Sequence, residues 1–469
     1  MTFDLDLYRR STDAVGLWLS DYFATLAQKP VRSSATPGQI KAQLPASPPN
    51  TSVAFAQIMS QFDALAQQGL THWNHPRFFA YFPCSTSPLA LAAEQLAAAI
   101  CQQGMLWQTS PLSTELEERM IEWMLELLGL EGQGFSGLIS DTASTSTLSA
   151  VLMARERATG HKARKLGLAG LPTLRVYVSP EAHSSIKKAV WLAGLGERNV
   201  VEVPTGANDQ LDLHALKSQI ADDRAQGMVP AMIVGVAGGT SVGAFDDLTA
   251  LGQIARDEHL YYHIDAAWAG VAAIVPEYRE LFSGWELADS IVLNPHKWLM
   301  TGMMCSVFLV KDMGLLSQTM AIVPTYLQTL EHEQVSNFSE LTPQLGRPFR
   351  SLKLWFVIQH YGAQGLAQIL SDHVDWAVEL CERLRGQPDI EIVTEPSLSL
   401  FSFALRSDEL TLRLLKRINE DGRIYLTQTS YKGRDVIRFV AGSASCSRDD
   451  VQLAGDVIVE LTQNLLSEN

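Results

Sequence analysis

Cysteine is scarce in this sequence of 469 residues, which has five cysteines and no CxxC pair. The five lie far apart, at Cys84, Cys101, Cys305, Cys381 and Cys446. An odd, dispersed set excludes the disulfide framework of a small secreted protein and lacks the spacing of a zinc site. We therefore expect reduced thiols, a cytoplasmic location and no metal centre.

Long apolar runs are also missing. No stretch of about 18 uncharged apolar residues occurs, so no membrane span is expected. The start, MTFDLDLYRR, is charged and lacks the apolar core of a signal peptide. Basic residues are outnumbered, with 36 Lys and Arg against 51 Asp and Glu, a net charge of −15. This balance argues against nucleic acid or an anionic membrane as the main partner, although charge inside a pocket can differ from the total.

Hydrophobic residues are plentiful, at 46%, and the length indicates two or three structural units. Residues 1–85 contain a predicted helix and a Pro/Ser-rich connector, which is typical of an arm packed on a larger body. In residues 86–350, apolar runs alternate with amphipathic helices, which predicts an α/β fold with a mainly parallel sheet covered on both faces. Residues 351–469 begin with a long helix and continue as a small α+β domain, with expected strands IEIV, LFSFAL, RIYL and VIRFV.

Six apolar runs are the expected strands of the large sheet, and ligands bind beyond the carboxyl ends of the strands in such a sheet. The runs are residues 174–179, 200–204, 231–237, 261–265, 290–294 and 305–310.

Two of these strands end in residues that suit cofactor chemistry. Lys297 follows SIVLNPH, where it is either a lysine that reaches the surface along its apolar stem or an amine held in a dry pocket to form a Schiff base. Asp265 closes YYHID, where it either caps the next turn or holds the protonated ring nitrogen of pyridoxal 5'-phosphate (PLP). Because both residues end strands of one sheet, both can face a single cleft.

Two further segments extend the pattern. GLISDTASTSTLSAVLMARERA (137–158) is predicted to be a turn, rich in small hydroxyl residues, that runs into a helix. It is either a Ser/Thr N-cap or a phosphate site at a helix N-terminus. His183 lies between a predicted strand and helix, as an ordinary loop residue or as a ring that stacks on a flat cofactor. Each signal is weak alone, but their order along the chain is specific: a hydroxyl-rich helix start, a histidine, an aspartate, then His-Lys.

This ordered set, with the text around it, resembles the PLP-dependent (group II) amino-acid decarboxylases, and among them the aromatic-L-amino-acid decarboxylase branch. The likeness covers nearly the whole chain, and NPHKW is its most specific part. The segments that carry it are HPRFFAYFP (75–83), LWQTSPLSTELE (106–117), DTASTSTL (141–148), AHSS (182–185), HIDAAWAG (263–270), ELADSIVLNPHKWL (286–299) and LGRPFRSLKLWF (345–356).

The resemblance implies fold type I with a seven-stranded-type sheet, an N-terminal dimerisation arm, and a homodimer whose active sites are shared between subunits. It implies that Lys297 is the Schiff-base lysine, Asp265 the partner of the ring nitrogen and His183 the ring-stacking histidine. The other cofactor-binding positions that it implies are Thr142, Ala143, Ser144, Thr240, Ala267, Asn294 and His296.

The implied substrate pocket departs from the pattern of the family. Its positions match Trp73, Tyr81, Phe82, Pro83, Cys84 and, contributed by the other subunit, Gln103 and Met105. Large apolar residues are usual at the last two positions, and a threonine is usual at the position of Cys84. Gln103 offers both a donor and an acceptor, which suits a polar ring substituent, as in tyrosine, dopa, 5-hydroxytryptophan or an imidazole.

A second departure lies in residues 328–346, a polar segment of the length that is usually functional or mobile. Counting back from LGRPFRSLK, Phe338 takes the place of a loop tyrosine that protonates the substrate carbon in the decarboxylases. No tyrosine lies between Tyr326 and Tyr361, and phenylalanine cannot act as a general acid.

The resemblance therefore implies decarboxylation of aromatic or related L-amino acids to amines and CO2. The alternative that Phe338 raises is an aromatic acetaldehyde synthase, which consumes oxygen and releases aldehyde, ammonia, CO2 and peroxide. An aminotransferase and a non-catalytic PLP-binding relative are weaker alternatives.

Overall fold

The computed structural model of the chain describes residues 3–206, 208–322 and 334–468. In chain order, its helices α1 to α15 are Leu5–Thr25, Gln39–Ala42, Phe55–Gly69, Pro88–Ile100, Pro111–Leu127, Ala143–Thr159, Lys162–Leu166, Ser184–Leu192, Leu213–Ala225, Leu248–Asp257, Pro295–Trp298, Met313–Met320, Ser351–Arg385, Asp408–Asp421 and Arg448–Ser467. Its strands β1 to β11 are Ser136–Ser140, Leu174–Val178, Val200–Glu202, Val229–Val236, Tyr261–Asp265, Ser290–Leu293, Ser306–Val310, Glu391–Ser397, Leu400–Ala404, Thr427–Tyr431 and Arg434–Val440.

The large sheet has seven strands in the order β1-β7-β6-β5-β4-β2-β3. The pairs from β6 to β3 are parallel, whereas β7 runs antiparallel to both of its neighbours. Every residue of β5, β6 and β7 is buried, as expected when helices cover both faces of a sheet. The prediction of an α/β fold with a mainly parallel seven-stranded sheet is confirmed.

The sequence analysis missed β1, because it interpreted residues 137–158 as a hydroxyl-rich turn that runs into a helix. Small residues such as Gly137 and Ser140 have low β propensity, so they gave no strand signal. The neighbouring strand, β7, nevertheless requires a glycine at position 137. A Cβ atom at Gly137 would lie 2.4 Å from the carbonyl oxygen of Phe308 on β7.

The second sheet is antiparallel, in the order β10-β11-β9-β8. The expected strand RIYL (423–426) is wrong, because the strand begins only after this segment, at Thr427. Tyr425 pairs instead with the N-terminal part of the chain: its N–H donates to Arg77 O at 3.3 Å, and its carbonyl accepts from Phe79 N at 3.1 Å. This cross-connection ties the segment before α4 to the C-terminal sheet.

Helix α13 connects the two sheets and is kinked at Gly362, whose φ of +63° and ψ of 171° are not helical. Its buried side chains contribute first to the core beside the large sheet and then to the core beneath the C-terminal sheet. Among the described helices, none is long and apolar enough to cross a membrane.

Candidate active site

A cavity of about 200 Å3 opens where β2, β4, β5 and β6 end. Its lining gathers residues from segments far apart in the sequence, as the strand-end pattern predicts. Eleven residues singled out in the sequence line it: Phe82, Thr142, Ala143, Ser144, His183, Thr240, Asp265, Ala267, Asn294, His296 and Lys297.

Lys297 lies on α11, a single turn that follows β6 and begins after Asn294. Its backbone N–H donates to Asn294 O at 2.9 Å, and its Nζ lies 4.8 Å from the centroid of the Phe82 ring. Burial lowers the pKa of Lys297, and the carboxylate of Asp265 opposes this shift. A larger fraction of the amine is therefore neutral, which is the nucleophilic form.

Asp265 and His183 are each oriented by a backbone N–H. Asp265 Oδ1 accepts from Ala267 N at 3.1 Å, which leaves Oδ2 available. His183 is the N-cap of α8, and its Nδ1 accepts from Ser185 N at 3.1 Å. The proton of the neutral ring therefore sits on Nε2. Partial burial lowers the pKa of His183 below its ordinary value of 6.5, so the neutral ring predominates at pH 7.

The start of α6 forms one end of the cavity. Thr142 occupies the N-cap position, but its side chain makes no capping hydrogen bond. The first-turn N–H groups of Ala143 and Ser144 have no intrahelical acceptor, because a helix always leaves its first N–H groups unpaired. A helix N-terminus of this kind favours an anion.

Asn294 and His296 lie at the same end. The side-chain oxygen of Asn294 is buried without a hydrogen-bond partner among the described residues. Since the amide can be flipped, Asn294 can offer an N–H to a ligand. Burial lowers the pKa of His296 to about 4, and its Nδ1 lies 2.8 Å from Cys305 O. The first N–H groups of α6 and the unpaired amide of Asn294 fit the phosphate of PLP, and Asp265 fits its ring nitrogen.

Arg438, on β11, lies behind the lining residue Phe82, and the sequence analysis missed it. It is buried, its Nε donates to Ser241 O at 2.9 Å, and its Nη2 has no hydrogen-bond partner among the described residues. Its guanidinium carbon lies 5.2 Å from the centroid of Phe82, the ring that Lys297 also contacts. Burial lowers the pKa of Arg438 to about 10, so it stays charged at pH 7. Its segment, VIRFV, indicates only a strand, and nothing local in the sequence signals a ligand.

Two lining residues were also missed. Trp268 stacks on Phe82 with ring centroids 4.7 Å apart. Glu181 has a buried carboxylate oxygen without a partner among the described residues, and burial raises its pKa. Glu181 lies two residues before His183, and no pattern in the sequence distinguishes it as a site residue.

Four of the predicted substrate residues lie beside the cavity rather than in its lining. Trp73 and Tyr81 stack with centroids 5.9 Å apart, and both are exposed. Pro83 is buried next to Gly442. Cys84 is close enough to Lys297 for the amine to affect it, although burial raises the pKa of its thiol to about 11.

Gln103, Met105 and Phe338 are not brought to the cavity of their own chain. Gln103 Oε1 accepts from Arg347 N at 2.7 Å, and Met105 O accepts from Ser339 N at 3.0 Å. Phe338 is only 2% exposed and packs in the core, with the Arg347 guanidinium 4.5 Å from its ring centroid. Residues 328–333 of the polar segment 328–346 lie outside the described residues.

The chain is similar to known proteins over nearly its whole length. Residues 37–406 match the model of the pyridoxal-dependent decarboxylase conserved domain. An aromatic-L-amino-acid decarboxylase of Mus musculus is 35% identical, and the match covers 98% of each chain. A phenylacetaldehyde synthase of Arabidopsis thaliana is 33% identical, over 96% of this chain and 94% of the relative. A crystal structure of Oryza sativa TDC with PLP and tryptamine superposes with a TM-score of 0.96 at 32% identity, covering 99% of each chain.

A cavity with a strand-end lysine, an aspartate and an anion-binding helix start is thus found in a chain that belongs to the pyridoxal-dependent decarboxylase family. Within that family the chain falls in the aromatic-amino-acid branch, and PLP is its cofactor. It is a PLP-dependent carboxy-lyase.

Proposed function

We propose that the protein converts aromatic or related L-amino acids to amines, in a homodimer whose active sites combine residues of both subunits. The observation that carries this proposal is the convergence of Lys297, Asp265 and His183 in one cavity. Burial favours the neutral amine of Lys297, and backbone N–H groups hold the other two side chains in place.

In the proposed arrangement, the first turn of α6 holds the phosphate of PLP through Thr142, Ala143 and Ser144. Asn294 and His296 complete this cradle, and Thr240 contacts the cofactor from the loop after β4. Asp265 Oδ2 would pair with the ring nitrogen, and His183 and Ala267 would help to hold the ring. When bound, PLP supplies an electron sink for the bond between the substrate carbon and its carboxylate.

The side chains of this protein then supply positioning and protons. Lys297 would provide the neutral amine that holds the cofactor. Arg438 Nη2 donates to the substrate carboxylate, because it is a buried cationic donor that lacks a partner. His183 holds its proton on Nε2 and would relay a proton to the carbon from which CO2 has left. As Nε2 gives up its proton, Nδ1 takes one from the Ser185 hydroxyl, 2.7 Å away, which solvent protonates again, so the ring stays neutral.

The substrate ring lies against Trp73, Tyr81, Phe82, Pro83 and Cys84, with Gln103 and Met105 of the other subunit completing the pocket. Gln103 already uses its oxygen to accept from Arg347 N. Its amide N–H groups therefore remain free, and they favour a ring substituent that accepts a hydrogen bond.

We also propose three structural units and a location. Residues 1–85 form the dimerisation arm, 86–350 the PLP-binding domain and 351–469 the small C-terminal domain. The exposed apolar side chains of α1, among them Leu5, Leu17 and Phe23, support the first assignment, since a second subunit would cover them. The five free cysteines fit a cytoplasmic protein.

The rival product is the aldehyde, because Phe338 matches the position of the loop tyrosine and one relative is an aldehyde synthase. The test is product analysis. Holoenzyme is incubated in air with L-tyrosine, L-dopa, L-5-hydroxytryptophan, L-tryptophan and L-histidine, and amine, aldehyde and peroxide are measured for each. We expect one amine per CO2 without peroxide. Aldehyde with an equal amount of peroxide would overturn the amine assignment in favour of the rival.

A further inference from the structure

Residues 161–198 reverse the charge of the chain. They contain seven Lys and Arg residues and two Glu residues, whereas the whole chain has 36 basic and 51 acidic residues. Lys162, Lys165 and Lys188 are exposed, and none of them pairs with an acidic side chain of the described residues. The excess of positive charge is therefore available to a partner.

Large apolar side chains lie on the same helix faces as these lysines. On α7, Lys162, Lys165 and Leu166 are spaced i, i+3, i+4; on α8, Lys188, Trp191 and Leu192 have the same spacing, which places each set on one side of its helix. Leu166 is 75% exposed, Leu192 63% and Trp191 48%. We call these six residues the basic-apolar patch.

The two helices are neighbours. Both pack on α6, and a Cβ atom at Gly194, just after α8, would lie 3.2 Å from Leu168, just after α7. The patch is therefore one surface built from two segments, rather than scattered exposed side chains of the kind that any protein has.

The patch stays accessible in the proposed dimer. After α8 the chain leads into β3, which is one edge of the large sheet. Gln103, which is assigned to the subunit contact, hydrogen-bonds to Arg347, and Arg347 hydrogen-bonds to Ile139 on β1. Since β1 is the opposite edge of the sheet, this subunit contact lies away from the patch. His183 caps the start of α8 and the patch covers its end, so nine residues of helix, about 13 Å, separate them.

We propose that the basic-apolar patch docks the enzyme on an anionic lipid surface. Lysines beside exposed Trp and Leu are the combination that binds at a membrane interface, because the ammonium groups meet anionic headgroups while the apolar side chains enter the boundary of the acyl chains. The net charge of −15 describes the whole chain and does not exclude a local surface with an excess of positive charge. Docking goes beyond the proposed decarboxylation, which uses none of the six residues.

The test is co-sedimentation of the full-length holoenzyme with vesicles. Vesicles of phosphatidylcholine alone are compared with vesicles that also contain phosphatidylglycerol, each at low and high salt. We expect binding only to the anionic vesicles at low salt. The variants Lys162→Glu/Lys165→Glu/Lys188→Glu and Trp191→Gln/Leu192→Gln should each lower the bound fraction about tenfold. Leu412→Gln/Lys416→Glu on α14, also an exposed Leu and Lys four residues apart, is the matched control and should bind normally.

Absence of binding to anionic vesicles, or binding that survives the triple lysine variant, would overturn the proposal. Retention on polyglutamate without vesicle binding would assign the patch to an acidic polypeptide and would overturn it as well. CO2 release is measured in parallel, and all variants should retain it. If the wild type released no CO2, the proposed function would be contradicted. The vesicle result would still decide whether the patch docks on a lipid surface.

Discussion

Among single residues, Lys297 and Asp265 show how far strand-end chemistry can be read from the sequence. An isolated lysine or aspartate after an apolar run indicates a pocket because such runs become parallel strands, whose ends face one cavity. Arg438 could not be identified in this way. It comes from the antiparallel C-terminal sheet, and its place beside Phe82 depends on how that sheet packs, which no local pattern encodes.

Removal of the Arg438 charge tests its proposed contact with the substrate. Arg438→Met should lower kcat/KM about 10- to 100-fold, because a charge-assisted hydrogen bond contributes about 1.5–3 kcal/mol. The loss should appear mainly in KM, and Arg438→Lys should recover part of it. Arg434→Met, which removes an exposed arginine from the same strand, serves as the control. Equal kinetics for the Arg438→Met and Arg434→Met variants would exclude the contact.

Phe338 offers a second test at this scale. Because its ring is buried against Arg347, Phe338→Tyr places a hydroxyl in a packed core, which should lower the free energy of unfolding by about 1–3 kcal/mol. The ratio of amine to aldehyde should not change. Denaturant titration and product analysis measure the two effects. A rise in the amine share would instead show that residue 338 reaches a catalytic carbon.

At the level of elements, a buried ion pair joins α5, β1 and the segment before α13. Glu117 and Arg347 are both buried with Oε1 and Nη2 2.6 Å apart, and Glu117 Oε1 also accepts from Ile139 N at 2.8 Å. Arg347 Nη2 donates to Ile139 O at 2.9 Å. The pair thus fixes the sheet edge next to the segments that hold Gln103 and Phe338.

Loss of one partner leaves a buried charge. Glu117→Gln should therefore lower the free energy of unfolding by about 3–5 kcal/mol, whereas Glu122→Gln, which breaks an exposed pair with Arg119, should cost less than about 1 kcal/mol. Thermal or denaturant unfolding compares them. Similar losses in the two variants would mean that the buried pair does not anchor this edge.

Elements with a regular pattern of apolar residues could be predicted from the sequence. Elements that depend on contacts between segments far apart in the sequence could not. The apolar runs from 174 to 310 predicted six strands to within two residues at either end, because buried parallel strands are continuous apolar segments. β1 was missed because close approach to β7 demands Gly137. RIYL was misassigned because the backbone of Tyr425 pairs with residues 77–79, more than 300 positions earlier.

At the scale of the whole molecule, the proposed dimer should depend on α1. Leu17 is 74% exposed on this helix, so Leu17→Glu should weaken dimerisation and lower CO2 release with it, since each site needs both subunits. Analytical ultracentrifugation over a range of protein concentrations measures the change. Arg10→Glu, also on α1, controls for added negative charge. A monomeric wild type with full activity would contradict the shared site.

The placement of PLP is tested most directly by mapping its covalent attachment. Holoenzyme is reduced with borohydride and digested, and the modified peptide is identified by mass, while CO2 release is measured on the same preparation. We predict attachment at Lys297 and loss of both attachment and CO2 release in Lys297→Ala. Lys311→Ala, which removes the lysine at the end of β7, should retain both. Attachment at another lysine, or CO2 release that survives Lys297→Ala, would contradict the assignment of this cavity as the decarboxylation site.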